Sequence, residues 1–172
     1  MDSLPDGVVP LTAALADEVA ARLSPDHARE IRELSGMAPA PAVRLSLAAS
    51  SLAYAVKDSA GNALFLVGVE PPGLLTGTAQ VWMVGTDAVA KHARKVLHCA
   101  RWGLRTAFLA TGAERFEQYI PAWYETGLRF VRRLGFRPGE GGDGRARHVV
   151  LPRSSVIGGH TRRRTHGNSH VQ

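Results

Sequence analysis

The sequence has little cysteine, few aromatic residues and no long apolar segment. Its one cysteine, Cys99, excludes an internal disulfide framework and cannot form a zinc site alone. No apolar run approaches the roughly 20 residues that span a bilayer. The opening MDSLPDGVVP carries acids and prolines instead of the basic and apolar segments of a signal peptide. We therefore expect a reduced, soluble, cytoplasmic protein without membrane contact.

The positive charge is concentrated towards the end of the chain. The 172 residues have a net charge of +6. Residues 1–100 contribute −2, residues 101–152 contribute +4, and residues 153–172, with four arginines and no acid, contribute +4. The length fits a single domain, so we predict one domain over 1–152 and a basic tail over 153–172. Its composition is typical of a flexible tail that binds nucleic acid or acidic protein by charge.

Apolar periodicity predicts the order of helices and strands. Ser24 and Pro25 favour a helix start, and Gly36 a helix end. The predicted elements are helices over 11–23, 25–34 and 43–49, a loop over 37–41, strands over 52–57, 63–69 and 79–84, a long helix over 89–112, a strand over 116–123, a helix over 126–134 and a last strand over 148–151. Three strands precede the first crossover helix, which excludes a doubly wound sheet. We expect an α/β (α+β) fold with a central, mostly antiparallel mixed sheet flanked by helices.

Three segments of the chain form a recognisable set: 67–77 (VGVEPPGLLTG), 81–87 (VWMVGTD) with Lys91 and His92, and 128–136 (LRFVRRLGF). Together they resemble the GNAT acetyltransferases. The resemblance covers about residues 8–150 and is tighter with a phage subgroup that includes internal virion proteins of short-tailed phages. It implies a GNAT-like fold, acetyl-CoA as a possible cofactor, no metal, and a location in the virion or the host cytoplasm.

The resemblance implies cofactor contacts at the turn between the third predicted strand and the long helix. GNAT enzymes bind the acetyl-CoA pyrophosphate there on backbone N–H groups of a Gly-rich loop. This turn keeps one early glycine, lacks the later ones and carries Asp87, whose charge opposes a pyrophosphate. The candidate cofactor-binding residues are Met83, Val84, Gly85, Thr86, Lys91 and His92, with Arg129 as a contact for a CoA phosphate.

The resemblance also implies positions for catalytic groups. Many GNAT enzymes carry a tyrosine four residues before the Gly of the G-F ending, where it protonates the departing thiolate. The matching residue here is Val131, which cannot transfer a proton. Tyr124 and Glu125, near the family's asparagine position, are candidate replacements. Glu70 is a candidate general base. The alternative is that Glu70 is a loop carboxylate with a structural role only. The acceptor groove is expected in the helical N-terminal region, which shows no recognisable chemistry.

Three functions follow as hypotheses. The first is a GNAT-like phage protein that serves as a structural or accessory virion component with an eroded acetyl-CoA site. Its partners would be other virion proteins, or an assembly that holds the basic tail. The second is an active acetyl-CoA-dependent N-acetyltransferase. The third is a nucleic-acid-binding accessory protein that uses the tail.

Overall fold

The computed structural model describes residues 4–141 and 143–157. Helices flank a seven-stranded sheet, which confirms the predicted fold class. The elements, in chain order, are β1 (Val8–Pro10), α1 (Ala13–Ala20), α2 (Pro25–Ser35), α3 (Pro39–Ala49), β2 (Leu52–Lys57), β3 (Ala63–Val69), β4 (Thr78–Gly85), a 3₁₀ helix (Asp87–His92), α4 (Ala93–Thr111), β5 (Arg115–Pro121), α5 (Glu125–Leu134), β6 (Arg137–Pro138), β7 (Ala146–Pro152) and α6 (Ser154–Ile157).

The sheet separates in the middle, between β4 and β5. The strand order is β1-β2-β3-β4-β5-β7-β6, and β4 and β5 form its one parallel pair within the described ranges. They pair over only three positions, which end at Gln80 opposite Glu117. From Val81 and Gln118 onward the two strands are not paired with each other. We call this opening the β4–β5 split.

Helices cover both faces of the sheet, and each face has its own apolar cluster. On one face, Val19 of α1 and Val43 of α3 pack with Leu66 of β3. On the other face, α4 and α5 cover the larger cluster, where the rings of Phe108 and Phe116 stack with centroids 3.8 Å apart. Alternate residues of one strand therefore point to different helical layers.

The predicted ends of α2 are confirmed in their local geometry. The Ser24 hydroxyl accepts a hydrogen bond from the His27 backbone N–H at 3.3 Å, and Pro25 occupies the first turn. Gly36 closes the helix with φ of 69°, a left-handed conformation that glycine adopts without steric cost. These signals fix where α2 starts and so which of its side chains face the sheet.

Four local predictions are corrected by the structure. Residues 39–41 of the predicted loop begin α3. Proline is tolerated there, because an N–H group in the first helical turn has no acceptor within the helix. The long helix does not start at Val89, since a 3₁₀ helix precedes α4. The first helix ends at Ala20 instead of continuing to Leu23. The strands β1 and β6 were not predicted, because three and two residues are too few for a periodic pattern.

The first residues of the predicted tail pack on the domain. The Arg153 guanidinium donates to the carbonyl oxygens of Phe108 at 2.8 Å and Ala113 at 3.3 Å. Val156, in the single turn of α6, packs against the larger apolar cluster. The rest of the predicted tail, with its three consecutive arginines, lies outside the described residues.

Candidate functional site

A cavity of about 90 Å³ lies at the β4–β5 split, and we call it the split cavity. Helices from both layers and three strands contribute to its walls. The lining residues are His27, Glu30, Phe65, Met83, Val89, Gln118, Ile120, Tyr124, Thr126, Gly127, Phe130 and Val131. The sheet positions this cavity, because the separation of β4 from β5 leaves space that a continuous sheet would fill.

Glu30 is a buried carboxyl group in the wall of the split cavity. It lies on the sheet-facing side of α2, and its exposure is 7%. Burial, with a smaller contribution from the nearby charge of Asp26, raises its pKa to about 8. Its carboxyl group has no hydrogen-bond partner among the residues that the structure describes. Glu30 is thus largely neutral at pH 7 and becomes a proton acceptor at mildly alkaline pH.

His27 connects α2 to the end of β4. Its Nδ1 atom lies 3.2 Å from the Gly85 backbone nitrogen, 3.1 Å from the Gly85 carbonyl oxygen and 2.9 Å from the Ser24 hydroxyl oxygen. Both Gly85 groups point away from β3, because Thr86 makes the neighbouring ladder bond to Leu64. Nδ1 can accept from the Gly85 N–H, with the ring proton on Nε2, or donate to the Gly85 carbonyl oxygen, with Nε2 unprotonated.

Burial keeps this imidazole neutral. It lowers the pKa of His27 to about 4, against a smaller opposing effect of the Gly85 backbone. The Nε2 atom lies 3.2 Å from the Tyr124 hydroxyl oxygen. With the ring proton on Nε2, His27 donates to that oxygen, and the hydroxyl hydrogen of Tyr124 is available to a group inside the split cavity.

Tyr124 carries a proton that stays in place at physiological pH. Its exposure is 7%, and burial raises the pKa of its hydroxyl well above the ordinary range, with the charges of Glu30 and Asp26 adding to the effect. It stands just before α5, and Val131 lies about two turns further along the same helix. Both residues line the split cavity. A tyrosine hydroxyl is therefore present in the cavity that Val131 faces.

Gln118 adds an unpaired acceptor to the same cavity. Its side-chain oxygen is buried and has no hydrogen-bond partner among the described residues. An unpaired buried polar atom typically costs about 1–3 kcal/mol. With the Glu30 carboxyl group, it gives the split cavity two oxygen acceptors that a ligand with N–H donors would satisfy.

The predicted cofactor residues on β4 and in the following turn lie close to the split cavity, and Met83 is the one of them in its wall. Gly85 forms the backbone contact with His27, and Val84 faces an adjacent cavity on the α2–α3 side. The Thr86 hydroxyl donates to the Leu64 carbonyl oxygen at 3.3 Å, which assigns it a structural contact.

The other predicted residues of this turn lie further along the chain. Lys91 is exposed and His92 half-buried at the end of the 3₁₀ helix. Asp87 occupies the first position of that helix and is exposed. The structure brings neither Lys91 nor His92 into the walls of the split cavity.

Arg129 and Glu125 lie on the opposite side of α5 from the split cavity. They line an open groove of about 800 Å³ between α5 and the β6–β7 hairpin. Arg132, Arg137 and Arg147 line the same groove, so we call it the arginine groove. The structure therefore separates these two predicted site residues from Tyr124.

Glu70 is also outside the split cavity. It follows β3, and its backbone N–H donates to the Gln80 carbonyl oxygen at 2.9 Å. Its side chain is half-buried in the connection to β4. Of the three predicted catalytic residues, only Tyr124 is in the wall of the split cavity.

Sequence reasoning missed His27, Glu30 and Gln118. The expectation that the N-terminal helices carry no recognisable chemistry is wrong, because α2 supplies a buried carboxyl group and an imidazole to the cavity. A pattern was present: His27, Glu30, Ile31 and Leu34 follow the three- and four-residue spacing of one helix face. Ionisable residues on an otherwise apolar face are a reason to suspect a functional site.

The described ranges hold neither a metal-binding cluster nor a helix that could span a membrane. Residues 4–141 and 143–157 contain no group of three or more side chains able to hold a metal ion. Over the same ranges, no helix has the length and apolar character needed to cross a bilayer.

Solved structures establish the fold class. No protein-family model and no curated protein matches the sequence. A chimeric spermidine N-acetyltransferase SpeG from Vibrio cholerae superimposes with a TM-score of 0.63 and 11% identity, over 87% of this chain and 96% of that one. A GNAT-family acetyltransferase from Bacillus anthracis gives 0.63 and 12%, over 86% and 94%. The GNAT domain of PAT from S. lividans gives 0.62 and 14%, over 84% and 89%. The chain has the GNAT acetyltransferase fold.

Proposed function

We propose that this protein is an N-acetyltransferase that transfers an acetyl group from acetyl-CoA to a primary amine. The observation that carries the proposal is the pairing of Glu30 with Tyr124 in one cavity at the β4–β5 split. One group can accept a proton above about pH 8, and the other keeps a proton. Transfer of an acyl group from a thioester to an amine needs both functions, one at the nitrogen and one at the sulfur.

The split suits the acyl end of acetyl-CoA. In the antiparallel ladder with β3, the N–H and C=O groups of Val81 and Met83 point away from β3 and towards the split. Since β5 does not pair with them, these backbone groups are available to the amides of a pantetheine arm. Acetyl-CoA, when bound, would supply the acetyl thioester at this edge.

The diphosphate end is less favourable. Asp87 brings a carboxylate to the first position of the 3₁₀ helix, where an anion would approach. Lys91 and His92 follow in the last turn and are the candidate cations for phosphate oxygens. We propose these two residues as phosphate contacts, with Asp87 as an opposing charge that weakens binding.

The chain's own groups supply the proton transfers. Glu30, in its carboxylate form, would accept the proton that the amine nitrogen loses as its new bond to the acyl carbon forms. Tyr124 would give its hydroxyl proton to the sulfur as the C–S bond breaks, and solvent would return a proton to the tyrosine oxygen before the next turnover. His27, with its ring proton on Nε2, would donate to that oxygen, orient the hydroxyl and stabilise negative charge on it.

The test compares three carboxylate substitutions. Glu30→Gln keeps the size and removes the proton acceptor, so we expect the rate of acetyl transfer to fall by about 100-fold or more. Glu70→Gln and Glu125→Gln are matched controls, because neither side chain lines the split cavity, and both should retain the wild-type rate. Thiol release from acetyl-CoA measures the rate. A large loss in a control, with Glu30→Gln unaffected, would contradict the proposal.

A GNAT-like virion component without acetyl transfer is the second candidate. It is supported by Asp87 at the anion position and by Val131 in place of the expected tyrosine. This candidate predicts that the isolated protein does not bind acetyl-CoA tightly. Calorimetry that detects low-micromolar binding would reject it, and recovery of the protein from purified particles at fixed copy number would support it.

A nucleic-acid-binding role rests on the basic tail. The arginines that suggest it lie outside the described residues, so this role is a prediction from sequence alone. The same holds for virion proteins, or an assembly, as partners of the tail. Salt-dependent binding to DNA that disappears when residues 158–172 are removed would support this role.

A further inference from the structure

A second cavity of about 250 Å³ opens beside the split cavity on the α2–α3 side of the sheet, and we call it the apolar compartment. Ile31 and Leu34 of α2 form one wall. Ala42 and Val43 of α3 form another, and Trp82 of β4 forms the base. The side chains of Leu34 and Tyr119, at 47% and 44% exposure, give its mouth an apolar edge.

The two cavities meet at a polar junction. Glu30, Met83 and Gln118 line both of them. The junction therefore holds the carboxyl group of Glu30 and the unpaired oxygen of Gln118, both of which accept hydrogen bonds. A ligand that fits must bring N–H donors to the junction and an apolar body to the compartment.

We propose that the apolar compartment binds the body of a primary amine with a small apolar substituent, such as an arylalkyl monoamine, with the nitrogen at Glu30 and Gln118. This inference deepens the proposed function, because it names the class of acetyl acceptor. A cavity of about 150 Å³ accommodates benzene, so this larger compartment can take a phenylethyl group.

The lining also identifies what the compartment rejects. Among its described lining residues, Glu30 is the one acidic or basic side chain. A second ammonium group, or a carboxylate on the ligand, would enter an apolar space without a counter-charge and lose its hydration. The spermidine acetyltransferase neighbour acts, by its name, on a polyamine, whereas this compartment favours a monoamine.

The test measures binding without acetyl-CoA, by calorimetry on the full chain. We expect 2-phenylethylamine to bind at least about tenfold more tightly than each of three comparison ligands. 2-Phenylethanol replaces the amine with a hydroxyl group, phenylalanine adds a carboxylate, and spermidine adds further ammonium groups. Leu34→Lys should weaken the binding of 2-phenylethylamine by about tenfold, since it places a charge at the mouth. Leu45→Lys is the matched control, because Leu45 is an exposed leucine at 60% that does not line the compartment.

The outcomes separate this inference from the proposed function. Equal binding of the alcohol and the amine, or no difference between the two lysine variants, would overturn the inference. If spermidine is acetylated and 2-phenylethylamine is neither bound nor acetylated, the inference fails while the proposed function stands. If 2-phenylethylamine binds selectively but no amine is acetylated, the inference stands and the proposed function fails.

Discussion

The two ends of the β4–β5 split differ in how well they suit acetyl transfer. At the inner end, a carboxyl group, an imidazole and a tyrosine hydroxyl converge on one cavity, and burial shifts the pKa of each. At the outer end, a 3₁₀ helix begins with Asp87 where an anion would bind. The groups that we propose for proton transfer and those that we propose for cofactor phosphate are therefore separate features of this fold. The groups for proton transfer can converge on one cavity even where the position for the cofactor phosphates is unfavourable.

At the inner end, the largest expected effect after that of Glu30→Gln concerns Tyr124. Tyr124→Phe removes the proton donor and keeps the ring, so we expect the rate of acetyl transfer to fall by about 10- to 100-fold. Tyr54→Phe is a matched control, since its ring packs against Trp102 and it lines neither the split cavity nor the neighbouring apolar compartment. Steady-state thiol release measures both variants. A normal rate in Tyr124→Phe would remove this tyrosine from the mechanism.

The pH dependence of stability is the second prediction. Between about pH 6.5 and 8, folded Glu30 keeps a proton that its unfolded form, with an ordinary pKa near 4.5, has already lost. Stability therefore falls as pH rises through this window, by up to about 2 kcal/mol. His27 opposes this loss only near pH 6.5, where its unfolded form, with a pKa of 6.5, still binds protons that its folded form, with a pKa of about 4, has lost. Below pH 6.5 the two groups act in opposite directions.

Urea unfolding at several pH values checks this prediction. Glu30→Gln should remove most of the loss between pH 6.5 and 8, because the amide does not titrate. A wild-type protein with constant stability over that window would contradict a buried, proton-retaining Glu30.

The smallest expected effect concerns the outer end. Asp87→Asn removes a negative charge at the start of the 3₁₀ helix, so we expect acetyl-CoA to bind about 2- to 5-fold more tightly. Glu140→Gln is the control, because it removes the same charge from the β6–β7 connection. Calorimetry compares the two. An equal gain in both variants would mean that overall charge, and not the position of Asp87, sets the affinity.

Much of the fold could be predicted from local patterns. The runs 52–57 and 63–69 around a Gly/Asn turn predicted the β2–β3 hairpin, because apolar strands joined by such a turn pair with each other. Ser24 and Gly36 predicted the ends of α2, since capping depends on a few neighbouring residues. The strand β1 could not be predicted, because three residues form a strand only through their partners in β2.

The site was harder to predict than the fold. Tyr124 was predicted because it lies near the family's asparagine position, and it lines the cavity. Glu30 was not predicted, because a glutamate on a helix is normally exposed. Its burial depends on β4 and β5. These strands lie far along the chain from α2 and are not paired with each other beyond Gln80 and Glu117. Arg129 and Tyr124 are close in sequence, yet opposite sides of α5 separate them.

The pH dependence of acetyl transfer tests the role of Glu30 most directly. If this buried carboxyl group accepts the proton of the amine, the rate should rise with an apparent pKa of about 8. An acceptor amine whose own ionisation is known allows its contribution to be subtracted. In Glu30→Gln this rise should disappear along with most of the rate. A rate that is already constant from pH 6, or the same rise in Glu30→Gln, would contradict the account.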